Sequence, residues 1–186
     1  MLPDMRLSNG KPIWYCVPEK TPLILDDLKS PVLNIRRYNG GSDWTLAQHL
    51  ALGILLASSS EVKTYFAMHD LHEAILGDIV TGLKKYIPDF EVLESRWENY
   101  FIKIFLQNNF PSEQIRREVK MLDLHCLKLE MYCLNHKGLY YIDVEWEPSS
   151  IEEAIFKFVK ESDPDFLWYL IKDTIESFTN SEKINE

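Results

Sequence analysis

The sequence predicts a mostly α domain with a short β-containing lead-in, and three observations carry that expectation. Turn-forming residues crowd into positions 1–43, where Asn9-Gly10, Pro12, Pro18, Pro22, Pro31 and Asn39-Gly40-Gly41 all fall; such residues punctuate strands and loops. From Trp44 onward, apolar residues recur at the three-and-four spacing of helices. The chain has 186 residues, 46% of them hydrophobic, which is enough for one core at this length. With no internal repeat, low-complexity stretch or linker, residues 1–186 are expected to form a single domain, with a lead-in at 1–43 and a helical core at 44–180.

Each element has its own signal. Residues 13–17 and 23–25 are short apolar runs between breaks and are expected to form a small hairpin. Residues 44–57 are apolar on nearly every face, which predicts a helix enclosed by its neighbours. Ser58, Ser59 and Ser60 interrupt that run and offer an N-cap. A second enclosed helix is expected from Glu61 to about Leu76, with Gly77 where helices commonly close. Amphipathic helices are expected at about 90–108, 112–135, 149–161 and 165–178, and Pro111 and Pro164 stand near two of the starts.

Charge and cysteine content narrow the function. Lys plus Arg number 20 against 29 Asp plus Glu, a formal net charge of -9. That balance argues against a protein that spreads along a nucleic-acid polymer, because such binding relies on cations displacing counterions from phosphates. A small anionic ligand is compatible with it where a metal or local basic residues invert the field. Cys16, Cys126 and Cys133 form an odd, sparse set that suits a reducing compartment, and Cys126 and Cys133 read as core rather than ligands. The opening residues have no apolar run, and no segment offers 18 uncharged apolar residues. Neither a signal peptide nor a membrane span is therefore expected, and the expected setting is the cytoplasm.

Polar residues in the two most apolar helices demand partners, because burying them bare is costly. Gln48 and His49 lie in the first, and His69, Asp70 and Glu73 in the second. On one continuous helix, Glu73 would stand about 40° from His69 and about 60° from Asp70, all on one side. Taken alone, His69-Asp70 reads equally as a structural pair satisfying a helix backbone. Further on, Val119, Leu122, Cys126, Leu129 and Cys133 form one helix face, and Asp123 lies at its margin, about 80° from the centre. Two His and two Asp from three helices make a mixed nitrogen and oxygen shell, suited to Mn, Co, Fe, Zn or Mg. The second His that a zincin helix needs four residues after His72 is absent, since position 76 is Leu, and so are the Glu-x-x-His pairs of a di-iron bundle.

The ordered text RYNGG (37–41), LAQH (46–49), HDLHEAILGD (69–78), LKKY (83–86) and Asp123 resembles the HD-domain metal-dependent phosphohydrolases. The match is closest to their small nucleotidase branch, which includes phage dATP triphosphohydrolases and bacterial 5'-nucleotidases. It covers residues 24–135. The resemblance implies a helical HD-domain bundle, a divalent metal ion on His49, His69, Asp70 and Asp123, and Glu73 as the group that orients or deprotonates the attacking water. It implies Asp78 as a second acid/base or substrate contact, and Arg37 and Lys84 as phosphate contacts, with Arg36 and Lys85 in reserve. Trp44 or Tyr38 would stack on the base, although both also read as core residues. The implied reaction is hydrolysis of a deoxynucleoside triphosphate, dATP foremost, to the deoxynucleoside and triphosphate. A 5'-nucleotidase acting on deoxynucleoside monophosphates, and a nucleotide-binding module without turnover, are the alternatives. Similar proteins are homo-oligomers, and the aromatic residues Phe156, Phe158, Phe166, Trp168 and Tyr169 suit either an interface or packing onto their own domain. Three features depart from the pattern. Gln48 replaces a Glu, which suggests altered support around the metal; Val80 and Gly82 stand where the bacterial enzymes tend to have prolines; and the Arg37-to-His49 spacing is shorter than in those enzymes, nearer that of the phage proteins.

Overall fold

A single helix, α2 (Leu46–Leu56), is the post around which the chain is built in the computed structural model, which describes residues 3–134 and 146–182. Around it pack α1 (Lys29–Asn34), α3 (Ser60–His69), α7 (Glu113–Cys133), α8 (Ser150–Glu161) and α9 (Pro164–Glu182). The remaining helices are two single turns, α4 (Glu73–Leu76) and α5 (Thr81–Lys84), and the long α6 (Pro88–Phe105). The fold is mostly α, with one two-stranded antiparallel sheet near the N-terminus. Among the described residues, no helix is long and apolar enough to cross a membrane.

Local chemistry sets the helix starts. Thr45 Oγ1 accepts the Gln48 N–H at 3.3 Å while Gln48 Oε1 accepts the Thr45 N–H at 2.9 Å, a reciprocal cap on α2. Gln48 is thereby committed to the helix end, and its other amide atom reaches the Lys160 carbonyl at 3.4 Å. This corrects the expectation that Gln48 alters the surroundings of a metal. Ser149 and Glu152 cap α8 in the same manner, the Ser59 and Ser112 hydroxyls accept the N–H groups of Val62 and Ile115 at the starts of α3 and α7, and Pro164 opens α9. The expected end of α7 at Asn135 lies outside the described residues.

The lead-in differs from expectation. Its hairpin pairs Met5–Arg6 with Pro12–Ile13, Met5 opposite Ile13, around Asn9-Gly10, where Gly10 has φ +84°. An Asn-Gly pair is the stronger hairpin signal because it takes positive φ at low cost. Residues 23–25 form no strand. Pro18 and Pro22 withhold ladder donors, and the chain instead makes 3-10 turns at Pro18–Lys20 and Leu25–Leu28 before entering α1.

The second enclosed helix is also interrupted. α3 ends at His69, and residues 70–72 turn before α4 begins. Glu73 N–H bonds back to the Asp70 carbonyl at 3.0 Å, and Ala74 N–H to that of Leu71 at 3.0 Å, the three-residue spacing of a tightened turn. The relative directions of His69, Asp70 and Glu73 therefore come from that turn, not from a continuous helix. Gly77 closes α4 at φ +84°, a value that favours glycine.

Gly53 explains how α2 and α3 approach. A Cβ at that position would lie 2.0 Å from the Phe66 ring, and Phe66 in turn lies against His69, ring centres 4.4 Å apart. Glycine inside a helix costs about 0.5–1 kcal/mol relative to alanine, so the close approach is what requires it. Gly53→Ala is expected to lower stability by about 1–3 kcal/mol, the usual cost of overpacking. Urea denaturation measures this, and a Gly53→Ala protein as stable as the parent would contradict the packing described.

Candidate metal centre

Four side chains from three helices converge where α2, α3 and α7 meet. His49 lies in the first turn of α2, His69 is the last residue of α3, Asp70 is its C-cap, and Asp123 projects inward from the middle of α7. One ligand atom from each lies within 4.8 Å of all the others. His49 Nε2 is 3.6 Å from Asp70 Oδ2 and 3.6 Å from Asp123 Oδ1. His69 Nε2 is 3.2 Å and 3.9 Å from the same two atoms.

The far nitrogen of each ring fixes its orientation. His49 Nδ1 donates to Glu130 Oε1 at 2.6 Å, and His69 Nδ1 donates to the Phe66 carbonyl at 2.7 Å. Both Nε2 atoms therefore face the carboxylates; both are buried, and neither has a hydrogen-bond partner among the described residues. Two such nitrogens and two carboxylate oxygens form a donor set that fits a divalent ion. The group can hold a metal.

The electrostatics fit as well. Burial opposes the charged form of His69, yet Asp70 and Asp123 hold its pKa well above the ordinary value. Burial likewise opposes ionisation of Asp70 and Asp123, but the neighbouring histidines, led by His69, hold both below the usual carboxylate range. Two carboxylates held in their charged form beside two ring nitrogens suit a divalent cation.

Glu130, to which the sequence reading draws no attention, belongs to this group through His49. It is wholly buried on α7, seven residues after Asp123 and so on nearly the same face, about 20° away. Besides His49, it accepts the Tyr38 hydroxyl and lies 3.4 Å from Arg37 Nε. Burial would raise its pKa, but Arg37 and His49 bring it below the ordinary value. The available signal was the seven-residue repeat of acidic residues along an apolar stripe.

Beside this group opens a cleft of about 480 Å³, lined by Arg37, Tyr38, Asp70, Glu73, Asp78, Lys84, Lys120 and Asp123 among others. Glu73 is buried, and its Oε2 has no hydrogen-bond partner among the described residues. Burial, followed by the charges of Asp70 and Asp78, pushes its carboxyl well up. Asp78 is raised too, chiefly by burial. Lys84 reaches Glu94 at 2.6 Å, and Lys120, which the sequence reading did not single out, pairs with Asp123 at 2.8 Å. Asp70, Lys120 and Asp123 also line a smaller hollow of about 210 Å³ on the side of His69 and Met68.

The other expected contacts separate into two groups. Arg37 lines the cleft, yet it is 3.5 Å from Asp70 as well as beside Glu130. Tyr38 lines the cleft with its hydroxyl committed to Glu130. Trp44 is corrected: it is 2% exposed, lies outside the cleft lining, and stacks on Phe156 with ring centres 4.4 Å apart. Arg36 pairs with Asp43 in solvent, Lys85 is exposed, and neither lines the cleft. Of the aromatic residues near the C-terminus, Phe156 and Trp168 are core, whereas Phe158, Phe166 and Tyr169 are exposed.

No family model matches the chain. Among curated proteins, it is similar to the uncharacterized protein YfdR of Escherichia coli (strain K12), at 29% identity over 94 residues, which is 50% of this chain and 52% of that protein. The match therefore spans about half the length of each.

The raised pKa of His69 gives metal loading a definite pH dependence. A ligand nitrogen must shed its proton to bind an ion. The ordinary histidine value is about 6.5 and that of His69 lies well above it, so the proton competes with the metal at and beyond neutrality. Apparent affinity for Mn²⁺ is expected to keep rising from about pH 6.5 to pH 8, with proton release on binding. Calorimetry in buffers of different ionisation enthalpy measures both, and an affinity already level at pH 6.5 would contradict this arrangement.

Proposed function

We propose that the chain is a metal-dependent nucleotide phosphohydrolase of the HD kind, and that it hydrolyses a deoxynucleoside triphosphate, dATP foremost, to the deoxynucleoside and triphosphate. One observation carries the reading: the buried Nε2 atoms of His49 and His69 meet Asp70 and Asp123 on the wall of a cleft that also holds two raised carboxyls and three cations. A divalent ion on those four residues supplies Lewis-acid polarisation of a phosphoryl oxygen and lowers the pKa of water.

The protein's own groups supply the rest. Glu73, made more basic by burial and by Asp70 and Asp78, takes the proton of the water that attacks the α-phosphorus. As the bond from phosphorus to the 5'-oxygen breaks, Asp78, which lines the same cleft, gives a proton to the departing oxygen. Arg37, Lys84 and Lys120 offset the charge of the phosphate chain along the cleft wall. Three cations there favour a triphosphate over a monophosphate. The preference for adenine rests on the resemblance, and Tyr38 is the aromatic residue that lines the cleft beside the candidate ligands.

Chromatography of products tests this reading. The purified protein, with Mn²⁺, Co²⁺ or Mg²⁺, is expected to turn dATP into deoxyadenosine and intact triphosphate, and Glu73→Gln to lower kcat by roughly 10²–10⁴-fold, the range for a general base. Phosphate released from deoxynucleoside monophosphates alone would replace this reading with a 5'-nucleotidase. A Glu73→Gln protein at full rate would overturn the assigned base.

A further inference from the structure

Lys84 lines the cleft and is held by groups outside it. Its side chain is 20% exposed, and its Nζ is 2.6 Å from Glu94 Oε1. It also stands 5.9 Å from the centre of the Phe90 ring. Phe90 and Glu94 are one turn apart near the start of α6 and so share a face. The same Glu94 oxygen accepts from His72 Nε2 at 3.2 Å, and His72 immediately precedes Glu73. One carboxylate, itself outside the cleft lining, thus ties down the end of α5 and the entry to α4. Between those two anchors runs the segment 77–80, which carries Asp78 into the cleft.

We propose that Glu94 is a positioning residue that holds Lys84, and with it both ends of the Asp78 segment, in place to receive the phosphate chain of the substrate. The inference rests on the reading of the cleft as a phosphate site. A lysine has three donors on a long, freely rotating stem. With one donor held by Glu94 and the Nζ set over the Phe90 ring, the ammonium is ordered before the anion arrives, which removes an ordering cost from binding. The opposite role would be competition, with Glu94 withdrawing Lys84 from the phosphate. The two roles predict opposite signs when the carboxylate is removed.

The test is calorimetric titration of inorganic tripolyphosphate, in excess Mg²⁺, into the full chain and its Lys84→Met, Glu94→Ala and Glu94→Gln variants, together with the Lys84→Met/Glu94→Ala double variant. Glu94→Ala is expected to weaken binding by roughly tenfold, the loss of one ordered charged contact. Glu94→Gln, which keeps an acceptor, is expected to recover part of that loss. The double variant is expected to bind no more weakly than Lys84→Met alone, because Glu94 acts through Lys84. Tighter binding by Glu94→Ala, or losses that simply add in the double variant, would overturn the positioning role while leaving the cleft a phosphate site. A wild-type chain that binds no tripolyphosphate would overturn that reading of the cleft and this inference together.

Discussion

Glu130 is a carboxylate without any solvent exposure, and it fixes the direction of His49, Arg37 and Tyr38 at the centre. An unpaired charge at such depth is very costly, and removing one partner of a buried pair typically costs about 3–5 kcal/mol. Its partners are therefore held firmly: Arg37 as the counter-charge, and His49 and the Tyr38 hydroxyl as donors. Holding His49 by Nδ1 turns Nε2 toward Asp70 and Asp123. Holding Arg37 places a second cationic face 3.5 Å from Asp70. Holding Tyr38 secures a residue whose backbone has φ +60°, a conformation that costs a non-glycine residue and persists only where surrounding contacts enforce it.

Asp70 and Asp123 are kept charged by the histidines, while Glu73 and Asp78 are raised by burial first and by neighbouring carboxylates second. The centre thus separates its acids into two that are kept charged where a metal can be held and two that retain a proton more readily, a division suited to acid-base work. With net charge -9, the chain as a whole repels a nucleotide. A divalent ion held by His49, His69, Asp70 and Asp123 would join Arg37, Lys84 and Lys120 in offsetting that charge locally. Packing reinforces the arrangement: Gly53 admits Phe66 against α2, and the Phe66 ring lies against both His49 and His69.

Much of this was legible in the sequence where one residue type leaves the chain few choices. The all-round apolar run of α2, the serine caps of α3, α7 and α8, and Gly77 at the close of α4 follow from periodicity and capping chemistry. His49, His69 and Asp70 stood out because polar groups among apolar ones need partners, whereas Asp123, at the margin of its helix face, joined them through the ordered pattern of the resemblance. What was not legible depends on tertiary contact. The break between His69 and Glu73 comes from a turn that no breaker residue marks. Glu130 resembles any other helical glutamate until α2 lies over it. Trp44 has the composition of a base-stacking residue, and only the seat of Phe156 against it shows it to be core. The hairpin was misplaced because two apolar runs outweighed Asn9-Gly10, although the prolines beside the second run exclude it from a ladder.

Calorimetric titration of Co²⁺ into the parent chain and Glu130→Gln reads whether one buried carboxylate aims the His49 nitrogen at a single divalent-ion site. One ion per chain is expected in the parent, with an affinity roughly 10–100-fold lower in Glu130→Gln, as for other partners that orient a metal-binding histidine. Equal affinity in the two proteins, or no ion bound by the parent, would contradict it.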